Sequence, residues 1–383
     1  MLTIGYGRQV FTTGNRERAR MHACALAAGA LHAIVFSLRA HGCAAVREGT
    51  LHIYPTDSRS RVGMLFDAYT IGSRILKARD AHGETWVISA QDPFEAGFVG
   101  LLLRLRHGVP LQIQEHGDFF GGTWWRTERL LNRLRYVFGK WVLLRADCVR
   151  TVSSRARTHL VALGVPLDRI SILAVASDLS AFAAGTPIRA ERDLRARYPD
   201  AEAIVIAVGR LVKEKNIPLL IRAFGRVVSG HPTARLVIVG SGPEEKALRA
   251  LAEKCGLASN ITFVPWTDDV ASYMKSADIF ALSSFREGWG RIIIEAMAAG
   301  LPGVVTDVGC AGDAFVHGEH GYIVPVADEE AYAQALESLV GDAIMRRRYG
   351  EAARRASAAY AVASSEYARV WTEIFGRCRG NAV

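Results

Sequence analysis

No stretch of this 383-residue chain is apolar for long enough to cross a bilayer: the longest candidate, residues 23–36, carries His32 in its middle, and a spanning helix needs about 20 apolar residues. Residues 1–18 lack the apolar core of a secretory signal, so no leader is expected. The six cysteines, Cys24, Cys43, Cys148, Cys255, Cys310 and Cys378, form no C-x-x-C pair and have no histidine at metal-ligand spacing. They are expected to be reduced, mostly buried thiols of a cytoplasmic protein, with no metal site. No repeat of solenoid period is present, which excludes a stacked-repeat architecture. No basic and aromatic interleaving on a nucleic-acid-binding fold is found either, so nucleic acid is not an expected partner. Acidic residues are scarce in one half only: residues 1–180 hold 23 Lys/Arg against 14 Asp/Glu, while residues 181–383 hold 24 of each. All the excess positive charge, +9, therefore lies in the first half, which suits an anionic partner such as a membrane surface; an arginine-rich composition is the plain alternative.

With half its residues apolar, the chain can bury two cores. β-like runs alternate with helical spacings from the start: strands over 2–6, 33–38, 51–54, 85–89 and 111–114, and helices over 16–30, 64–77 and 94–106. A parallel sheet follows from that order. A strand at 148–152 leads to Ser153, the expected N-cap of a helix over 155–163 that stops at Gly164, and a strand over 170–175 comes next. Residues 183–199 have no core face and read as the join between domains. The second series is clearer, with strands over 203–208, 236–239, 261–264, 279–282, 304–306 and 322–324 and helices over 217–228, 244–255, 270–275, 329–340, 343–359 and 365–377. The expected division is 1–182, 183–360 and a last helix over 361–383 that returns to the first domain.

Residues 124–145, WWRTERLLNRLRYVFGKWVLLR, hold six basic residues and one acid. On a helical wheel Arg126, Arg129, Arg133 and Lys140 fall within about 60° of one another, and Leu130, Leu131, Leu134, Phe138 and Trp141 take the adjoining face. Two readings stand: a surface helix whose apolar face packs on the sheet, or a basic amphipathic helix that docks on an anionic membrane. Gly139 interrupts the pattern.

Three loops of the second half fall at strand ends, where open α/β sheets bind ligands. In 208–216, VGRLVKEKN, Arg210 and Lys215 bracket a helix start and can clamp a diphosphate. In 239–245, VGSGPEE, Gly240 and Gly242 admit a close backbone approach, but Glu245 stands where a dinucleotide fingerprint needs its third glycine, which argues against an NAD(P) oxidoreductase. In 283–313, Glu287 lies in the entering turn and Glu295 inside a helix; as continuous helix they would stand about 12 Å apart. That span suits an elongated ligand with hydroxyls at both ends and an anion between, seated on the backbone N–H groups of Gly288, Trp289, Gly290 and Arg291.

Together GRLVKEKN, VGSGPEE, EGWGRIIIEAMAAGLPGVVTDVG and HGEHGYIVPVAD, in this order and spacing, resemble the C-terminal domain of the retaining glycosyltransferases of family 4. The likeness is good over 147–342 and loose over 1–146. It implies the GT-B fold, two Rossmann-like α/β domains facing a cleft, with an acceptor-binding first domain and a second that binds a nucleoside-diphosphate sugar. It further implies that Arg210 and Lys215 neutralise the donor diphosphate, that Glu295 holds the ribose and that Glu287 contacts the sugar hydroxyls. The segment QEHGD resembles the family's strand-end histidine, which makes His116 the donor-sugar contact and a fourth candidate catalytic residue beside Arg210, Lys215 and Glu287. Trp266 is the candidate base contact. Gly14, Asn15 and Asp118 are candidates for the acceptor loops. The sequence departs from the family at Gly14-Asn15, where a Gly-Gly pair is common, at Ala174-Val175-Ala176, at Pro265 and at Asp313.

The expected function is thus retaining, metal-independent transfer of a sugar to a lipid-linked or cell-surface polysaccharide precursor, without a cofactor. The expected place is the cytoplasm, at the inner membrane face. A non-catalytic nucleotide-sugar-binding protein is the alternative.

Overall fold

A computed structural model of the chain describes residues 1–5, 7–12, 15–80, 86–183 and 185–380. The chain divides into two compact units, residues 1–174 with 363–383 and residues 175–362. The sequence had suggested boundaries at 182 and 360.

Unit 1 runs β1 (Leu2–Ile4), α1 (Arg16–Ala27), β2 (Leu31–Val35), β3 (Val46–Glu48), β4 (Leu51–Pro55), α2 (Gly63–Asp80), β5 (Ile88–Ala90), α3 (Glu95–His107), β6 (Leu111–Glu115), α4 (Trp124–Glu128), α5 (Leu130–Leu143), β7 (Cys148–Thr151), α6 (Ser154–Ala162) and β8 (Ile170–Ile172). Its eight-stranded sheet has the order β3-β4-β2-β1-β5-β6-β7-β8. The strands β1, β5, β6 and β7 are buried at every position, as expected of parallel strands covered on both faces. One pairing breaks the expected parallel rule: β3 runs antiparallel to β4, a short edge hairpin the alternation pattern could not carry. Ser153 caps α6, its side chain accepting from Ala156 N at 3.1 Å, as the sequence indicated.

Unit 2 runs α7 (Leu194–Arg197), β9 (Ile204–Val208), α8 (Ile217–Gly230), β10 (Arg235–Val239), α9 (Glu245–Lys254), β11 (Ile261–Val264), α10 (Val270–Lys275), β12 (Ile279–Leu282), α11 (Arg291–Ala298), β13 (Gly303–Thr306), β14 (Gly321–Val324), α12 (Glu329–Gly341) and α13 (Ala343–Ser357). Its six strands are parallel throughout, in the order β11-β10-β9-β12-β13-β14. The order reverses direction at β9, so the loops after β9 and β12 flank the switch point where such sheets bind ligands. α8 seals one face of this sheet with Leu219, Leu220, Ile221, Phe224 and Val227, all at most 2% exposed. Asp328 and Asp342 cap α12 and α13.

The last helix, α14 (Ser364–Gly380), belongs to unit 1. Two links hold it there. The buried guanidinium of Arg150 in β7 donates to Tyr367 Oη at 2.8 Å, and also to Gln114 Oε1 and Leu173 O. Cys378 forms a disulfide with Cys148. The expectation of six reduced cysteines is therefore corrected for this pair: 230 residues apart in sequence, they meet only because α14 returns to β7. Cys24, Cys43, Cys255 and Cys310 are free thiols.

The single amphipathic helix expected over 124–145 is two helices. Arg129 between them is extended, at φ −143° and ψ 140°, and Gly139 lies inside α5 without breaking it. A Cβ at Gly139 would stand 2.7 Å from the ring of Phe94, so the glycine serves close packing. The reading in which the apolar face packs on the sheet is also corrected. Leu130, Leu131, Leu134 and Val137 are 77%, 62%, 67% and 68% exposed.

Candidate active site

In unit 2 the site is built by three neighbouring loops. The loop after β9 places Gly209 against Val239 O through its N–H at 3.0 Å, and Leu211 N against Ser241 O at 3.0 Å. A Cβ on Gly240 would lie 1.8 Å from Gly209 O, and one on Gly242 2.3 Å from Leu211 O. Both glycines thus let the loops after β9 and β10 lie backbone to backbone, a structural reason for them that precedes any ligand. Residues Lys213–Lys215 then form a 3-10 turn, and Asn216 adopts a left-handed conformation before α8 begins. Arg210 and Lys215 consequently both stand ahead of the helix.

The loop after β12 carries the carboxylates. Lys215 Nζ donates to Glu287 Oε1 at 2.5 Å, and Ser284 Oγ donates to the same oxygen at 2.7 Å. The sequence reading separated these two groups, one for phosphate and one for sugar; here they neutralise each other. Arg210 is 73% exposed on its side chain, its Nη2 4.0 Å from Glu214 Oε2. Gly290 is left-handed, φ 78° and ψ 52°, and has no side chain to cap α11; in the first turn the Ile293 N–H donates to Gly290 O at 2.8 Å. Helix α11 starts at Arg291, which leaves Glu287 in the turn ahead of the helix and Glu295 inside it, as the sequence indicates. Glu295 is half-buried, with Arg291 Nη2 3.5 Å from its Oε1. The indole of Trp289 is buried against Tyr360, ring centroids 5.7 Å apart. Gly288 precedes it, half-buried, in the same turn.

Trp266 follows β11 and is 56% exposed, its backbone N–H donating to Ser241 Oγ at 3.1 Å. It lines an open cavity of about 530 Å³ with Arg189, Arg192, Thr267, Asp268 and Asp269. The two arginines ion-pair with Asp269.

In unit 1, His116 follows β6. Burial, with the guanidinium groups of Arg150 and Arg20, holds its imidazole well below the usual histidine range, so it is neutral. Two residues that the sequence did not single out organise its loop. Glu115, 1% exposed, accepts from Gly117 N and Phe119 N through Oε1. Burial and then the Asp118 charge push its carboxyl up to about 7. Asp118, at φ 47°, is paired with His159 at 2.8 Å, and that partner raises the histidine. Glu115 sits beside His116 in sequence, but His159 lies 41 residues beyond Asp118 and left no signal in the motif. Asn15 is the N-cap of α1, its side chain accepting from Glu17 N at 2.8 Å. Gly14 lies outside the described residues. Among the described residues no group of three or more His, Cys, Asp or Glu is gathered as a metal site, and no helix is long and apolar enough to cross a membrane.

Two parallel-sheet α/β units, the second with clustered charge at its switch point, define a GT-B fold. Comparison with known proteins gives the family. Residues 13–176 match the glycosyl transferase 4-like domain and residues 191–356 the glycosyl transferases group 1 domain; the chain belongs to the group 1 glycosyltransferases. The lipopolysaccharide core biosynthesis glycosyltransferase LpsE of Rhizobium meliloti (strain 1021) is 33% identical over 43% of this chain, and the chain spans 46% of that relative's length. Among solved structures, a sucrose-phosphate synthase from Thermosynechococcus elongatus superposes with a TM-score of 0.78 at 20% identity, covering 99% of both chains. Anabaena Alr3699/HepE in complex with UDP superposes with a TM-score of 0.74 at 17% identity, covering 98% of this chain and 99% of the other.

Proposed function

We propose that the chain transfers a sugar from a nucleoside-diphosphate donor to an acceptor with retention at the anomeric carbon. The observation that carries this is the Lys215–Glu287 pair beside the start of α11, with Arg210 on the same loop as Lys215, at the switch point of unit 2. Arg210, Lys215 and the α11 N–H groups supply positive potential for a departing diphosphate, which answers the main electrostatic demand of the reaction without calling for a metal or cofactor. Glu287, released from Lys215, then accepts hydrogen bonds from sugar hydroxyls, and Glu295 is proposed to hold the ribose. The C1–O bond to the diphosphate breaks and a bond from C1 to the acceptor oxygen forms on the same face. The acceptor proton passes to the leaving phosphate oxygen. His116, neutral, is proposed as a donor-sugar contact; an uncharged imidazole adds no cation beside a developing oxocarbenium ion. Trp266, exposed beside Ser241, is the proposed base contact, and Asp118 and Asn15 remain proposed acceptor-loop residues. That HepE was solved with UDP supports a uridine donor.

A thermal-shift screen of nucleotide sugars finds the donor, since a ligand that binds the folded state raises its melting temperature by mass action. NMR of the product anomer then tests retention. Donor binding with neither hydrolysis nor transfer to any acceptor would favour the non-catalytic reading.

We further propose that the acceptor is lipid-linked, as a polysaccharide precursor, and that α5 brings the protein to the cytoplasmic face of an anionic membrane. Leu130, Leu131, Leu134 and Val137 form an exposed apolar stripe beside Arg129, Arg133 and Lys140, and apolar groups flanked by cations suit the interface between headgroups and acyl chains. Flotation with vesicles containing anionic lipid tests this; no binding at low salt overturns it.

A further inference from the structure

Two loops divide the candidate chemistry: the one after β9 carries Arg210 and Lys215, the one after β12 carries Glu287. What ties them together includes a pair of residues absent from the set above. Arg286 Nη2 donates to Glu214 Oε1 at 2.5 Å, with side chains only 16% and 21% exposed. Around this pair the loops are stitched twice more, Phe285 N donating to Glu214 O at 2.9 Å and Ser283 Oγ to Lys215 O at 3.0 Å. Glu214 also faces Arg210 through its other oxygen at 4.0 Å.

The charges therefore alternate, Arg210 to Glu214 to Arg286 on one side and Lys215 to Glu287 on the other. The two halves differ in what a donor would do to them. A diphosphate that draws Lys215 toward itself competes with Glu287 for that cation, and the sugar hydroxyls claim the freed carboxylate. The Lys215–Glu287 link loosens as the site fills, whereas Glu214 and Arg286 face each other and need not part.

We infer that Glu214 and Arg286 are a positioning pair that keeps the phosphate-clamp loop and the sugar-carboxylate loop in register when the donor opens the Lys215–Glu287 link. The inference rests on the donor-site reading above. Glu214 is suited to the task because it is held by its backbone as well as its side chain. Arg286 is suited because its sequence neighbour is Glu287, so any displacement of the guanidinium is passed directly to that carboxylate. Removing Glu214 alone takes the side-chain tie between the two loops away and would let the sugar carboxylate shift with Arg286.

The test is a double-mutant cycle on the full chain with the donor found by thermal shift. Glu214→Gln and Arg286→Gln are each expected to lower kcat about 10- to 100-fold, with donor KM moved less than about threefold, because misplacing reacting groups costs more in the transition state than in the ground state. The double variant is expected to lose no more than the worse single one, since the two residues act as a unit. Arg222→Gln, which breaks an exposed ion pair with Glu329 on the far helices α8 and α12, is the control and should leave kcat unchanged. Single variants within twofold of the unsubstituted protein, or losses that multiply in the double variant, would overturn the inference while leaving the donor site standing. A fall in kcat matched by a fall in melting temperature at the assay temperature would overturn it too, by making the pair merely structural. Binding without turnover in the unsubstituted protein would strike the donor-site reading itself and take the inference with it.

Discussion

Lys215 Nζ stands 2.5 Å from Glu287 Oε1, so a cation and a carboxylate proposed for different parts of one donor neutralise each other. Pre-pairing spares Lys215, only 18% exposed on its side chain, from sitting shielded and uncompensated. It also means the donor must outbid an existing ion pair, so affinity is lower than two free groups would give.

Substitution at the clamp separates these effects. Lys215→Ala and Arg210→Ala should each lower kcat/KM by several kcal/mol in barrier terms, about 100-fold or more. Glu287→Ala should lower transfer comparably while leaving nucleoside diphosphate binding intact or tighter, because Lys215 is released to the phosphates. Steady-state kinetics with calorimetry of diphosphate binding reads both; near-normal turnover in Arg210→Ala and Lys215→Ala would remove the clamp.

The pH dependence of unit 1 should carry the mark of Glu115. Its carboxyl titrates at about 7 in the fold against an ordinary 4.5. The folded state therefore binds more protons than the unfolded chain between those values, and stability contributed by the protonated form is complete below 4.5 and lost as pH rises through 7. His159 has the same sign, because Asp118 raises it and its contribution also fades as pH rises. His116, held low by burial, has the opposite sign and its contribution fades as pH falls, so the test is comparative: in denaturant melts from pH 4.5 to 8, Glu115→Gln should lose the part of the alkaline weakening that this carboxyl supplies. An unchanged slope in the variant would acquit Glu115.

Much of unit 2 was legible because its information is local. Ile204 to Val208 is an unbroken apolar run, and the glycines of GSG and EGWG mark turns. What stayed hidden depended on contacts distant in sequence. Arg286 and Glu214 are 72 residues apart, and nothing near either names the other. The break at Arg129 escaped because the wheel continues through it with good periodicity. The apolar face of α5 was legible as a face, but its exposure was not: periodicity shows that a helix has two sides and does not say which is covered.

The disulfide gives a prediction of stability. Closing a long loop limits the unfolded chain, and loss of such a bond costs about 2–5 kcal/mol. Cys378→Ser or reduction with dithiothreitol should lower the melting temperature of the unit holding α14. The unsubstituted protein should show two fewer reactive thiols before reduction than after. Six thiols without reductant would contradict the bond.

The exposed stripe of α5 predicts the reverse. Leu134 and Val137 are mostly in solvent, so Leu134→Glu/Val137→Glu should leave stability within about 0.5 kcal/mol while abolishing vesicle flotation and raising solubility. A large loss of stability would mean these side chains are covered in the folded protein.

Gly240→Ala tests whether the glycine of the β10 loop is kept for the backbone or for a ligand. A Cβ there would meet Gly209 O at 1.8 Å, and both atoms belong to backbone anchored by Gly209 N to Val239 O and Gly240 N to Val264 O. Neither side can yield without breaking a sheet-end hydrogen bond. The variant should lose about 2–4 kcal/mol of stability, measured by denaturant melting with no donor present. The displaced β9 loop should also weaken diphosphate binding through Arg210 and Lys215. If stability holds and only binding falls, the glycine serves the ligand directly. If stability falls and binding at saturating donor recovers, the loops are held by packing and the donor can restore their register.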